Sequence, residues 1–182
     1  MVRKIKVVPY DPDWSRLFKV EANEIASFFG QEMVAIHHIG STAIPGICAK
    51  PIIDMLVEVQ KIEKTDAFNE EMTKRGYQPK GEFGIAGRRF FIKGDKVNRT
   101  HHIHVFQNGH PRIEQYLNFR DYMIAHPEEA RAYSELKEEL AQRFPHDIES
   151  YMAGKGSFIK EIDSKARAWR KSQQEYVNKR EW

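Results

Sequence analysis

Cysteine is almost missing from this 182-residue chain: Cys48 stands alone, so no disulfide framework and no cysteine-based zinc finger can be built from it. Long apolar runs are missing as well. The longest stretch without a formal charge, Met33 to Ala49, contains His37, His38, Ser41, Pro45 and Gly46, and is too short and too polar to span a bilayer. Charge of one sign is also lacking. Lys and Arg number 29 against 26 Asp and Glu, and the resulting +3 is too small an excess to argue for a nucleic-acid partner. The segment Met1 to Tyr10 carries Arg3, Lys4 and Lys6 but no apolar core of a signal peptide, so the expectation is a cytoplasmic protein with no membrane partner.

What the chain does contain is an ordinary globular mixture, 41% hydrophobic and 30% charged, long enough to bury a core without metals or disulfides. Its texture changes once. Short β-branched runs alternate with helical patterns as far as Phe106, and from His110 onward the pattern is helical almost throughout. With no repeat and no low-complexity linker, the expectation is one domain over residues 1–182, with a sheet core over about 1–109 and a helical layer over about 110–182.

Asp11 as N-cap and Pro12 at the first helical position predict a helix whose apolar stripe is Trp14, Leu17, Phe18, Ile25 and Phe28. Val34 to Ile39 reads as a strand, and Pro51 to Val59, nearly continuously apolar, as a central one. Thr65 to Arg75 reads as a helix. Arg88 to Lys93 and His101 to Phe106 read as two further strands, joined by turn residues Gly94, Asp95 and Asn98. Three helical segments follow. Their stripes are Ile113, Tyr116, Leu117 and Ile124; then Tyr133, Leu136, Leu140 and Phe144 after Pro127; then Phe158, Ile162, Ala166, Trp169 and Tyr176.

The loop between the first two strands holds the chemistry. A strand ends at Ile39, Gly40-Ser41-Thr42 turns, and the chain returns to a strand carrying Asp54. Gly40 allows close backbone approach, and Ser41 and Thr42 offer hydroxyls and amides to phosphate oxygens. A carboxylate beside such a turn is the minimum for holding Mg²⁺ against a triphosphate. The structural alternative is a Ser/Thr turn with Asp54 paired to a nearby base.

The run His38-Ile39-Gly40-Ser41-Thr42-Ala43-Ile44-Pro45-Gly46, followed by Ala49-Lys50-Pro51-Ile52-Ile53-Asp54, resembles the signature of the GrpB family, which is grouped on sequence pattern with the nucleotidyltransferase superfamily. The resemblance continues through Thr100 to Val105, Phe119 to Tyr122, His126-Pro127 and Tyr133 to Leu140. It implies an α/β fold of the α+β type, nucleotidyltransferase-like, with a small mixed sheet, helices packed on it and a helical C-terminal layer. It also implies a Gly-Ser turn facing phosphates. The expected partner is thus a nucleotide or phosphorylated small molecule, and Asp54 is the candidate catalytic residue.

One position departs from the superfamily. A second carboxylate is expected two residues after Asp54, and Leu56 stands there. Glu58 shares the face, but four residues of strand span roughly 13 Å, too far to share metals about 4 Å apart. His102 and His104, two apart on a strand, point to one face and could join Asp54 in holding a divalent ion, Mg²⁺, Mn²⁺ or Zn²⁺. A polar strand face bonded to loops is the alternative for that pair. Two functional classes follow: a metal-dependent nucleotidyltransferase, or a non-catalytic nucleotide-, metal- or partner-binding protein that has lost the second carboxylate.

Lys50, just before Pro51, is placed to reach back over the turn as a phosphate contact or to remain a solvated lysine. Arg88, with Arg89, begins a strand beside a glycine-bearing loop and is a candidate for substrate charge. His37, His38 and Arg120 read as structural. The basic run Lys165, Arg167, Arg170 and Lys171 reads as a solvated helix face, and Gly84 to Gly87 is no P-loop, because no Gly-Lys-Ser/Thr follows.

Overall fold

The computed structural model describes residues 4–95 and 97–178; Met1 to Arg3 of the basic N-terminal segment lie outside them. Five strands form one sheet in the order β1-β2-β5-β4-β3. They are β1 Met33–Ile39, β2 Ile53–Val59, β3 Tyr77–Pro79, β4 Arg88–Gly94 and β5 Arg99–Gln107. β2 and β5 run parallel, and the other neighbours are antiparallel, so the sheet is mixed. Among the described residues five α-helices accompany it: α1 Asp13–Phe29, α2 Asn69–Lys74, α3 Pro111–Ala125, α4 Pro127–Arg143 and α5 Ile148–Asn178. This is the mixed α/β architecture, with a helical layer at the C-terminal end, that the sequence predicts.

The near-continuous apolar run of β2 is explained by its central place, covered on both faces. Met55 and Val57, with Ile103 and Val105 of β5 and Phe91 of β4, face Trp14, Ile25 and Phe29 of α1 and Met72 of α2. Each such side chain contributes about 1.5–3 kcal/mol on full burial. On the other face Ile39, Leu56 and Phe106 pack beneath Ile113, Tyr116 and Leu117 of α3. Asp54 shares that second face, at the end of the sheet where β1 leaves into the loop.

The loop is clamped to the helical layer. Ile44 and Ile47 are buried among Tyr122, Met123, Tyr133 and Ile162. The Cys48 amide donates to Ser134 Oγ at 2.8 Å, and its thiol lies 3.2 Å from the Ser134 carbonyl, so Cys48 is a packed structural residue.

Several boundaries shift. Asp11 does accept the amide of Asp13 at 2.9 Å, but the helix begins at Asp13. Thr65 lies in a 3₁₀ stretch, Ile62–Phe68, before the short α2 begins at Asn69. β3 was not legible, because three residues are too few to show alternation. Leu17, Ile124 and Tyr176, expected in core stripes, are exposed. For Tyr176 the reason is length: α5 has 31 residues, roughly 46 Å, and outruns α3 and α4. The basic run is not simply solvated. Lys165 pairs with Glu129 and Glu161, and Arg170 with Asp121 and Asn118, pinning α5 to its neighbours. Among the described residues no helix is long and apolar enough to cross a membrane.

Candidate functional site

Gly40 makes the site's first contact. Its φ of 71° and ψ of −172° lie in a region essentially reserved for glycine. An added Cβ would stand 2.7 Å from Asp54 Oδ2. The turn therefore presses its backbone against the carboxylate, and Ser41–Ala43 forms one 3₁₀ turn closed by Ala43 N–H to the Gly40 carbonyl at 3.1 Å.

Parallel pairing places Asp54 opposite His102 and Leu56 opposite His104. His102 Nδ1 donates to Asp54 Oδ1 at 3.1 Å, and His104 Nε2 lies 3.8 Å from the same oxygen. Burial pushes the Asp54 carboxyl up, but hydrogen bonds and charge from the two imidazoles outweigh it and hold the group well below the usual carboxylate range. Burial lowers His104 against the opposing pull of Asp54.

Around this centre lies a cavity of about 300 Å³ lined by Gly40, Ser41 and Thr42, by Asp54, His102 and His104, and by residues of the helical layer. Three lysines line it: Lys50, Lys137 and Lys155. Lys137 is 2% exposed, donates to the Cys48 carbonyl and lies over the Tyr133 ring at 4.6 Å. Lys155 is 7% exposed and lies over Tyr151 at 4.7 Å. Among the described residues no carboxylate lies within ion-pair distance of either. Burial lowers Lys137 to about 8; burial, with the charges of Lys50 and Lys137, lowers Lys155 to about 8. Burial raises the Tyr133 and Tyr151 hydroxyls, Tyr151 to about 12.

The structure thus brings together Gly40, Ser41, Thr42, Lys50, Asp54, His102 and His104. Two expectations are altered. The Thr42 hydroxyl is committed to His38 Nε2 at 2.9 Å, while the Ser41 hydroxyl, on the cavity wall, is hydrogen-bonded with the Tyr133 hydroxyl. Arg88 stands behind the cavity wall and does not line it: its guanidinium donates to the carbonyls of Glu82 and Phe83 at 3.1 and 2.6 Å, to His104 Nδ1 at 3.3 Å and to the Tyr116 hydroxyl. Arg89 pairs with Asp66.

The three expected metal ligands lie against one another, the two imidazoles turned to one carboxylate oxygen. An arginine can only donate, so a neutral His104 accepting at Nδ1 carries its proton on Nε2, towards Asp54. His102 spends Nδ1–H on the carboxylate. Among the described residues no group of three or more His, Cys, Asp or Glu is arranged to hold a metal ion. Glu58 bonds His37 at 2.7 Å instead of turning towards Asp54. His37, His38 and Arg120 are structural, as the sequence predicts: His38 stacks on Phe18, and Arg120 spans from Asp121 to the His38 carbonyl.

Lys137 and Lys155 were missed, although a signal existed. Each sits inside an apolar stripe, four residues after a tyrosine (Tyr133, Tyr151) and three before an apolar residue (Leu140, Phe158), and a charge so placed needs a partner.

The sequence model of a protein family described as GrpB protein matches residues 4–165 of this chain. The UPF0157 protein YqkA of Bacillus subtilis (strain 168) is 48% identical over 169 residues, 93% of this chain and 49% of the relative, so this chain spans about half of that protein's length. The crystal structure of conserved protein GrpB from Enterococcus faecalis is similar with a TM-score of 0.86 and 41% identity, over 90% of this chain and 99% of that one. Cid1 in complex with the UTP analog UMPNPP aligns with a TM-score of 0.45 and 12% identity, over 80% of this chain and 48% of that one, a likeness too distant to carry function.

Proposed function

The chain belongs to the GrpB family, and we propose that its cavity binds the phosphates of a nucleotide or another phosphorylated small molecule against the Gly40-Ser41-Thr42 turn. The observation that carries this reading is the pair of buried lysines, Lys137 and Lys155, which line the cavity together with Lys50 and lack a carboxylate of their own. A buried cation without a counterion is costly, and a multiply charged phosphate entering the cavity removes that cost. Ser41 supplies a hydroxyl at the same wall, and the bulk of Tyr133 and Tyr151 narrows the space around the lysines.

Nucleotidyl transfer is the second reading, and the ionised, precisely cradled Asp54 favours it. One carboxylate suits a Mg²⁺ or Mn²⁺ ion that arrives with its phosphates, since Mg²⁺ commonly takes one or two carboxylates plus substrate oxygens. When bound, such an ion supplies Lewis-acid polarisation of a phosphoryl oxygen. The chain's own residues hold Asp54 ionised through His102 and His104, fix it against Gly40 and neutralise phosphate charge through the lysines. Leu56 argues for binding without two-metal transfer, because it is fully buried in the apolar cluster of Ile39, Phe106 and Ile113.

Thermal melts with millimolar ATP or CTP and Mg²⁺ test the binding claim. Ligand at about ten times Kd adds about 1.4 kcal/mol, a Tm rise of about 3–6 °C for a chain this size. Ser41→Ala and Lys137→Met reduce the rise, while Lys160→Ala, at an exposed position, leaves it. No rise with any nucleoside triphosphate or with tripolyphosphate refutes the reading. Pyrophosphate release from the bound nucleotide separates transfer from binding alone.

A further inference from the structure

The connection from β3 to β4, residues 80–87, contains Gly81, Gly84 and Gly87, all at positive φ, and between them Phe83 at φ 46°, the one non-glycine residue with positive φ among those described. A bulky residue stays in that region only where its surroundings determine it. Here they do. Arg88, 5% exposed, donates to the Glu82 and Phe83 carbonyls. The Glu82 carboxylate accepts the Gly87 amide at 2.7 Å, and Lys80 and Gly81 pair with the backbone of Phe90. The loop is built to hold Phe83 in one place.

That place displays its ring. Phe83 stacks on Phe90 with centroids 5.3 Å apart and planes 18° apart, yet the residue is 61% exposed. Phe90 in turn lies 5.4 Å from the His102 ring and 4.9 Å from the His104 ring. One face of the sheet therefore presents, in succession across β2, β5 and β4, a carboxylate, two imidazoles and an aromatic ring carrying a second, open one. Arg88 joins the two ends, since it holds the Phe83 carbonyl and touches His104.

We propose that Phe83 is a stacking platform for the base of a nucleotide whose phosphates lie at the Gly-Ser-Thr turn. This rests on the phosphate-binding reading above and narrows its substrate class: a nucleobase is the planar ring that comes attached to phosphates. Arg88 is the positioning residue for the platform. A stacking platform accepts every base, because every base has a π-face, so it gives affinity with little base discrimination.

Calorimetric titration with Mg²⁺-ATP, Mg²⁺-CTP and Mg²⁺-tripolyphosphate tests it. Phe83→Ala weakens both nucleotides by about tenfold, within the range of a lost base–aromatic stack, and leaves tripolyphosphate within about twofold of the unmodified chain. Phe83→Tyr keeps nucleotide binding. Phe83→Gly suits the backbone and loses the same tenfold without a lower Tm than Phe83→Ala, which separates stacking from folding. Lys137→Met weakens all three probes. Equal losses for nucleotides and tripolyphosphate in Phe83→Ala, no loss at all, or tripolyphosphate binding as tightly as the nucleotides overturns the platform and leaves the phosphate site standing. Binding of no probe to the unmodified chain overturns both.

Discussion

Replacing Gly40 by alanine perturbs the contact on which the site is built. The backbone there, φ 71° and ψ −172°, costs a non-glycine residue about 1–3 kcal/mol. The new Cβ would also meet Asp54 Oδ2 at 2.7 Å and Asp54 Cβ at 3.1 Å. The carboxylate cannot yield freely, because His102 holds it at 3.1 Å, so relief breaks that hydrogen bond or moves the turn. Losing one hydrogen bond to a charged group adds about 1.5–3 kcal/mol, only part of it realised if the turn moves. A total of about 2–4 kcal/mol is expected, a Tm fall of about 5–15 °C. Gly46→Ala is the control. Its φ is 81° but no atom lies within 4 Å of the added Cβ, so only the dihedral cost of about 1–2 kcal/mol applies. Urea denaturation followed by circular dichroism measures both variants, and the Mg²⁺-ATP melt measures what remains of the site. Equal stability of the two variants within about 0.5 kcal/mol, or undiminished nucleotide binding by Gly40→Ala, would refute the argument that turn and carboxylate form one unit.

Two further outcomes concern the two faces of the sheet, His38 on the α1 side and Leu56 on the α3 side. Burial lowers His38 to about 4, against the pull of Asp54 and aided by Arg120. The native state thus binds fewer protons than the unfolded chain between about pH 4 and 6.5; the contribution is complete above 6.5 and is lost as the pH falls towards 4. At about 1.4 kcal/mol per pH unit the loss is at most about 3 kcal/mol, and about 2 with partial solvent contact. Denaturation at pH 7 and pH 4.5 should show that loss in the unmodified chain and a flatter dependence in His38→Phe; equal dependence in both would exclude His38 as the cause. Leu56→Asp, which supplies the carboxylate the superfamily pattern expects, should cost more than about 3 kcal/mol, because it buries a charge in the fully enclosed cluster of Ile39, Phe106 and Ile113. Denaturation midpoints check this, and a stable Leu56→Asp chain would show that the position is less apolar than its packing implies.

The sheet was legible where periodicity was strong. β2 could be recognised as central from its unbroken apolar run. Alternation along β5 sets His101 opposite to His102, and His101 is buried on the α1 side 3.8 Å from Glu21. The edge strand β3 was not legible at three residues. At the site, the turn and Asp54 were visible because glycine, hydroxyls and a carboxylate cluster along the chain. Lys137 and Lys155 were not, because they come from α4 and α5 and meet the turn only through tertiary packing. The fate of Arg88 was equally hidden: nothing local says that a strand-initial arginine turns back onto loop carbonyls. Phe83 carried no period at all, and its backbone angle emerges only from the folded loop.

The central claim is that phosphates occupy the cavity between the Gly-Ser-Thr turn and the buried lysines. A crystal of this chain soaked with a nucleoside triphosphate and Mn²⁺ tests it most directly. The account predicts phosphate density within hydrogen-bonding distance of Ser41, Lys137 and Lys155, with the anomalous Mn²⁺ signal against Asp54. Phosphates bound elsewhere on the molecule, or a cavity filled only by water at saturating nucleotide, would contradict it.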